Sequence, residues 1–309
     1  MFVLMQTMIG CDHLLDVDPP ANQIGSVQVF ESVQTANAAL AGLYSGLWEN
    51  SPLSGDQTGR LLSLYTDDLD FYSLTSNNGI PELYQNIAAD TNPAINSYWS
   101  NAYQKIYISN AIIEGASQSS SLNENEKSRI IAEAKLIRSI LYLYLQQLFG
   151  DLPYVTTTAY TTNQSLGKTP STELLQLLST DLTYCITTMK DEYRNAERIF
   201  PNRKVAQLTL AKVYALQHKW QEGEALLRTI IQSPQYQFQA DVAKVFDKSG
   251  MHILWQLKPK TAGLATKEAV TYYFTNSAPT SAALSPSLVD SFLPTDKRKQ
   301  LWIAAVPFN

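Results

Sequence analysis

The stretch from Glu126 to Phe149 constrains the fold more than any other, because Ile130, Ala134, Ile137, Leu141, Leu145 and Leu148 recur at intervals of three and four. That spacing lays the apolar side chains along one face of a helix, and so continuous a face is stable only when neighbours cover it. Gly150 stops the helix. Asp151-Leu152-Pro153 then turns the chain, since a proline disfavours helical geometry in the residue before it.

The same period returns elsewhere. Phe30 to Trp48 carries Val33, Ala36, Leu40, Leu43 and Leu47 as a stripe, and Ala94 to Gly115 carries Tyr98, Ala102, Ile106, Ser109 and Ile113, with Trp99, Tyr103 and Asn110 beside them. Pro170 and Ser171 open a further helix, with Ser171 as N-cap and Leu174, Leu178, Leu182, Cys185 and Met189 as its stripe. Val205 to His218 and Gln221 to Ser233 form a hairpin around Lys219-Trp220, ended by Pro234. In it Leu210, Ala211, Tyr214, Trp220, Leu227 and Ile230 fall where a tetratricopeptide unit places its packing residues, and Gly223 sits where that repeat prefers alanine. Long amphipathic helices leading into such a hairpin predict a mostly α fold: a tetratricopeptide-like helical array with long irregular loops and a few short strands.

Between these helices, Ser54 to Pro93 is rich in Gly, Asn, Asp, Ser and Thr with scattered aromatics, which predicts a long surface loop or short broken helices. Loops of that length in compact domains often carry function. Ser117 to Asn125 reads as a polar connector and Thr156 to Thr169 as a Thr-rich linker. From Ile253 onward helix largely gives way. Ile253-Leu254-Trp255-Gln256-Leu257 reads as a strand, Tyr272-Tyr273-Phe274 as strand or ligand surface, and Leu284 to Phe292 as a capped helix with Asp296-Lys297-Arg298 as its charged exit.

Composition narrows the function. With 309 residues, 45% of them hydrophobic, the chain can bury a sizeable core. A net charge of −5 and no basic run leave nothing to grip a phosphate backbone, so nucleic acid is not an expected partner. His13, His218 and His252 lie far apart without a second ligand at metal spacing, and no cofactor or metal is expected. Asp67, Asp68 and Asp70 lack a full calcium-loop pattern and read as a solvated acidic turn or a helix cap. No Gly-x-Ser-x-Gly elbow or nucleophile–base arrangement is present, and no catalytic residue is assigned.

The first ten residues are apolar and uncharged and end in Met8-Ile9-Gly10 before Cys11, which predicts a short export leader and Cys11 as a site of lipid attachment. Asp12 to Pro20 has the polar, proline-ended composition of a tether. No later run approaches the ~20 apolar residues of a membrane helix, so membrane contact is expected through lipid alone. That leaves Cys185 as a lone thiol on an amphipathic helix, expected to be a small core residue.

Several separated segments together resemble the SusD/RagB family of surface glycan-binding lipoproteins of Bacteroidetes. Cys11-Asp12 with Leu15 to Pro19 is similar to its mature N-terminus, and Trp99, Tyr103, Ile106 and Asn110 to its W-x3-Y-x2-I-x3-N helix. Glu133 to Tyr142, leading into Phe149-Gly150-Asp151-Leu152-Pro153, resembles its E-A-K-x-L/I-R helix and F-G-D-x-P turn. Ala211-Lys212-Val213-Tyr214 with Trp220 resembles the hairpin that follows. Leu284 to Asp290 with Phe292 and Asp296-Lys297-Arg298 resembles its L-x-P-S…D-x-R segment.

The resemblance implies a SusD-like fold, with residues 1–10 as leader, 11–25 as tether, 26–235 as the helical region and 250–309 as the start of an incomplete C-terminal region. It also implies a non-catalytic outer-membrane lipoprotein, surface-exposed, that binds oligosaccharide or polysaccharide and delivers it to a SusC-like TonB-dependent transporter. Sugars present apolar faces and dense hydroxyls, so a binder needs aromatic platforms flanked by amides. A chain with 17 Tyr, 10 Phe and 5 Trp is well supplied. Within the Ser54–Pro93 loop the candidate residues are Tyr72, Asn77, Asn78 and Tyr84. The alternative is a peptide-capturing lipoprotein or a protein-interaction scaffold.

Overall fold

Most of the long helices begin where a side chain can satisfy a free amide of the first turn. The computed structural model describes residues 26–274, 278–279 and 281–306; Cys11, the leader and the tether lie outside the described residues. After a single turn, α1 (Ser26–Val29), Ser32 accepts from the Thr35 amide and starts α2 (Val33–Trp48). The loop that follows is broken into α3 (Thr58–Tyr65), β1 (Leu69–Phe71) and α4 (Ile80–Tyr84). Buried Asn92 caps α5 (Pro93–Gln118), and Asn123 caps α6 (Glu124–Phe149) by accepting from Glu126, with Glu124 and Glu126 complementing the positive end of the helix. The Thr-rich linker contains one turn, α7 (Tyr160–Asn163), ahead of α8 (Ser171–Thr188). Asn202 caps α9 (Arg203–Leu216), which folds back as α10 (Trp220–Ile231).

Beyond these lie α11 (Lys267–Tyr272), β2 (Ala282–Leu284), α12 (Pro286–Ser291) and α13 (Lys297–Trp302). The fold is therefore mostly α, with one two-stranded antiparallel ribbon, β1–β2, in the register Leu69↔Leu284 and Phe71↔Ala282.

Sequence neighbours are also spatial neighbours. α5 packs on α6, α6 on α8, α8 on α9 and α9 on α10, with α2 laid against α5 and α6. This is the stacked array that the periodicity predicts. The predicted stripes are its core: Leu40, Leu43, Leu47, Ile106, Ile130, Ile137, Leu141, Leu145, Leu178, Leu182 and Cys185 are all fully buried. Truncating one of these leucines to alanine costs about 2–5 kcal/mol. Phe30 docks the first turns so closely over α5 that a Cβ on Gly115 would meet its ring at 2.2 Å.

Several expectations are corrected. Ser171 is not the N-cap of α8; Pro170 holds that position, and both the amide and hydroxyl of Ser171 donate to Asp151 Oδ1 at 2.7 and 2.9 Å. The cap comes from the turn after α6, held there by the Leu152–Thr169 bridge. Trp220 is 61% exposed and Leu227 is exposed too, because α10 ends the stack and its outer face meets no further helix among the described residues. Leu148, the last residue of the α6 stripe, is exposed as well. Gly223 is buried, and a Cβ there would sit at ordinary contact distance, 3.5 Å, from the Ala211 carbonyl, as suits a small-residue position.

Ile253–Leu257 forms no strand because no strand lies beside it. The segment is instead held by the corner at 197–199: the Gln256 amide donates to the Arg198 carbonyl and Trp255 Nε1 to the Ile199 carbonyl. Tyr272 closes a helix, and Asp296 accepts from the Arg298 amide as the start of α13 rather than the exit of α12.

Candidate binding surface

The residues of the family-like motifs are mostly used to join helices. Tyr103 donates to the Pro153 carbonyl at 2.7 Å, and Asn110 donates to the Val155 carbonyl at 3.0 Å while accepting from Arg138 Nη1 at 2.7 Å. Trp99 stacks on Tyr103 at 4.8 Å and meets Phe149 edge-on at 5.1 Å. Glu133 accepts from Tyr44 on α2, Arg129 on α6 and Arg194 beyond α8 at 2.5, 2.7 and 2.6 Å.

Asp181 on α8 receives Lys135 and Arg138 from α6, each at 2.5 Å, and the Tyr154 hydroxyl at 3.0 Å. Burial alone would raise the Asp181 carboxyl, but Arg138 and Lys135 hold it below its ordinary range. These groups are spent largely on one another and join α6 to α8 inside the array, although Arg138 Nε is left without a partner.

The predicted binding loop is built on a second, smaller core. Leu64 from α3, Leu69 and Phe71 from β1 and Ile80 from α4 form it, with Tyr84 packed alongside. Because side chains alternate along a strand, burying Leu69 and Phe71 turns the next residue, Tyr72, outward, and it is 56% exposed. Asn77 and Asn78 are also exposed, but Asn78 Oδ1 accepts from the Ile80 amide at 3.2 Å and from Ser76 Oγ at 3.1 Å, so it shapes its own turn. Gly79 has φ +82°, and its carbonyl accepts from Asn92 Nδ2 at 2.8 Å. One buried asparagine thus caps α5 and ties down the loop. Tyr84 is half-buried, with its ring 6.3 Å from Phe71. Tyr72, Asn77 and Asn78 therefore share one exposed loop, while Tyr84 belongs to the packing beneath it.

Beside that loop runs a cleft of about 320 Å3, lined by Tyr65, Leu83, Asn86, Tyr98 and Phe149 among others, and it adjoins a lobe of about 460 Å3 along Leu143, Tyr144, Gln147 and Leu216. Thr58, Leu62 and Leu148 line both. Tyr98 donates or accepts with Thr58 at 2.8 Å, and burial pushes its hydroxyl pKa up to about 12, so it stays neutral. Sequence reasoning left Asn86, Gln147 and Phe149 out of the site. The one local signal was Asn86, which adopts φ +58° at the end of α4, a conformation asparagine tolerates better than most residues.

Among the described residues no group of three or more His, Cys, Asp or Glu could hold a metal ion, and no helix is long and apolar enough to cross a membrane. Asp68 binds through its backbone to the Ser285 amide at 3.0 Å, next to the β1–β2 ribbon.

Comparison with known proteins bears on this arrangement. A family described as "Starch-binding associating with outer membrane" matches residues 13–215. SusD-like protein P25 of Formosa agariphila is 25% identical over 266 residues, which is 82% of this chain and 50% of that protein. The chain spans about half the length of the curated relatives it matches. Among solved structures, a SusD superfamily protein from Bacteroides fragilis aligns with a TM-score of 0.72 at 19% identity, covering 88% of this chain and 67% of that one. Surface glycan-binding protein A from Bacteroides thetaiotaomicron, in complex with laminarihexaose, aligns with a TM-score of 0.67 at 15% identity, covering 86% and 62%. The family match extends from before α1 to the end of α9, over the same helices that the buried motif residues join, and the chain belongs to the SusD-like family.

Proposed function

We propose that the protein is a non-catalytic outer-membrane lipoprotein that captures an oligosaccharide or polysaccharide and hands it to a TonB-dependent transporter. The observation that carries this reading is the exposed loop of Tyr72, Asn77 and Asn78, raised on its own small core between α3 and α4, the two helices that also line an aromatic cleft. An aromatic face packs against the apolar face of a pyranose, and neighbouring amides supply the paired donors and acceptors that hydroxyls need. The family's description and the laminarihexaose bound to one structural neighbour support a glycan as the ligand.

Lipid attachment at Cys11 would hold the protein at the membrane with residues 11–25 as tether. The helical region, residues 26–235, would serve as the scaffold, and residues 250–309 would begin the C-terminal region and supply β2. Peptide capture or a purely scaffolding role is the alternative for a helical array.

Affinity electrophoresis and calorimetry against plant, host and microbial polysaccharides test the proposal. Retardation by one glycan class, weakened by Tyr72→Ala with unfolding stability unchanged, is the expected result. Binding of peptides with no response to any glycan would refute it. Co-purification with an adjacent TonB-dependent barrel, lost when residues 11–25 are removed, tests delivery.

A further inference from the structure

A cavity of different character lies at the opposite end of α6 from the Tyr65 cleft. Phe149 faces that cleft, whereas Asn125, Ser128 and Arg129 of the first turns of α6 line a separate cavity of about 580 Å3, closed by the C-terminal end of α8 and the chain from Met189 to Asn202. The lining residues of the two that lie nearest each other on this helix, Glu133 and Leu148, are 15 positions apart, about 22 Å at 1.5 Å per residue.

The lining falls into two groups. Glu133, 2% exposed, is saturated by Tyr44, Arg129 and Arg194 and gives the cavity a rigid polar wall. Around it, the side-chain polar groups of half-buried Ser128, Tyr184 and Thr188 and of exposed Asn125, Lys190 and Glu192 make no hydrogen bond or ion pair among the described residues. They include donors, acceptors and hydroxyls that act as either. Charge balances as well: Arg129, Lys190 and Arg194 face Glu126, Glu133 and Glu192. A site with three cations and three carboxylates exerts little net pull on an ion. Mixed, uncommitted hydrogen-bonding groups beside the rings of Tyr184 and Tyr193 suit a neutral ligand dense in hydroxyls.

We propose that this cavity is a second saccharide site that takes a short neutral unit, a monosaccharide or disaccharide, independently of the Tyr72 loop. The inference rests on the glycan-binding reading of the protein. Its volume lies in the range of about 300–1,000 Å3 usual for small-ligand pockets. It is a recess with an exposed rim, at Asn125, Lys190 and Glu192, and a buried wall at Glu133, a shape that suits a short unit or a chain end.

The test uses the full chain with tyrosine-selective isotope labelling, titrated separately with maltose, cellobiose, laminaribiose and glucuronate. The expected result is saturable shifts of the Tyr184 and Tyr193 resonances with at least one neutral disaccharide and not with glucuronate. Tyr184→Ala should weaken that binding by up to about tenfold, the equivalent of one aromatic contact. Because Tyr184 is half-buried, Thr188→Val and Glu192→Gln serve as variants that leave packing intact, and each should reduce the same affinity. Shifts confined to Tyr72 and its loop would overturn the second site and leave the glycan-binding reading standing. No shift at any tyrosine, with no retardation by any polysaccharide, would overturn both. A stronger response to glucuronate than to the disaccharides would overturn the neutral assignment.

Discussion

Replacing Asp181 by alanine is expected to destabilise the protein by about 3–5 kcal/mol, the usual cost of stranding one half of a buried ion pair. The size follows from what remains. Lys135 is partly solvated and can reach water, but Arg138 is 3% exposed and keeps only Asn110 as an acceptor for its charge. Tyr154 also loses its acceptor, a further contribution of about 1 kcal/mol.

The double variant Arg138→Met, Asp181→Leu removes both buried charges and leaves two neutral groups without partners, the Asn110 side-chain oxygen at about 1–3 kcal/mol and the Tyr154 hydroxyl at about 1 kcal/mol, so it should be more stable than Asp181→Ala alone, which strands the Arg138 charge and the same hydroxyl. Urea unfolding followed by circular dichroism gives both values. The pH dependence has a definite sign. The folded carboxyl titrates below its unfolded value, so its contribution is complete above about pH 4 and disappears as the pH falls through the folded value. The acid limb of wild-type stability should therefore be steeper than that of Asp181→Ala. An Asp181→Ala loss under about 1 kcal/mol, or a double variant less stable than the single, would refute the assignment of this network as an α6–α8 joint.

Two further outcomes follow from the fold. Gly150 has φ +70° and ψ −120°, and no neighbour would crowd a Cβ there, so Gly150→Ala should cost about 1–3 kcal/mol through backbone strain alone, measured by urea unfolding. Cys185 is buried, its thiol donates to the Ala132 carbonyl at 3.2 Å, and burial pushes its pKa well up, so in a Cys11→Ser chain iodoacetamide should label it only at the rate of unfolding.

The long helices were legible because α2, α5, α6 and α8 each bury a continuous stripe, and periodicity reports that directly. What periodicity does not report is what lies across from a residue. Trp220 and Leu148 fit the apolar pattern yet are exposed, since one belongs to the terminal helix of the stack and the other to the lip of a cleft. The cap of α8 was missed because Asp151 lies far up the chain and reaches Ser171 only through tertiary structure. The apolar run from Ile253 to Leu257 has strand composition without a strand partner.

At the candidate surface, aromatic content marked the region, but composition cannot divide tyrosines between packing and binding. Phe71 and Tyr72 are adjacent and face opposite ways, while Tyr84 matches Tyr72 in type and packs on Phe71. The family-like motifs were conspicuous for a related reason. Glu133, Lys135 and Arg138 pin helices together wherever the array forms, whereas nothing in the packing dictates which groups line the cavities.

The β1–β2 ribbon joins residues on either side of nearly the whole array. A two-stranded ribbon is marginal by itself, and closing so long a stretch of chain slows its formation. The helices between Val33 and Ile231 make mostly local contacts and can assemble first, leaving the Tyr72 loop to be completed by the last segment to dock. In hydrogen-exchange terms the Leu69–Phe71 amides are expected to open below the energy of global unfolding, and those of α6 to exchange only when the array comes apart. A ligand seated on Tyr72 would then slow exchange in two short segments distant in sequence, Leu69–Phe71 and Ala282–Leu284, and leave the helices at their original rates.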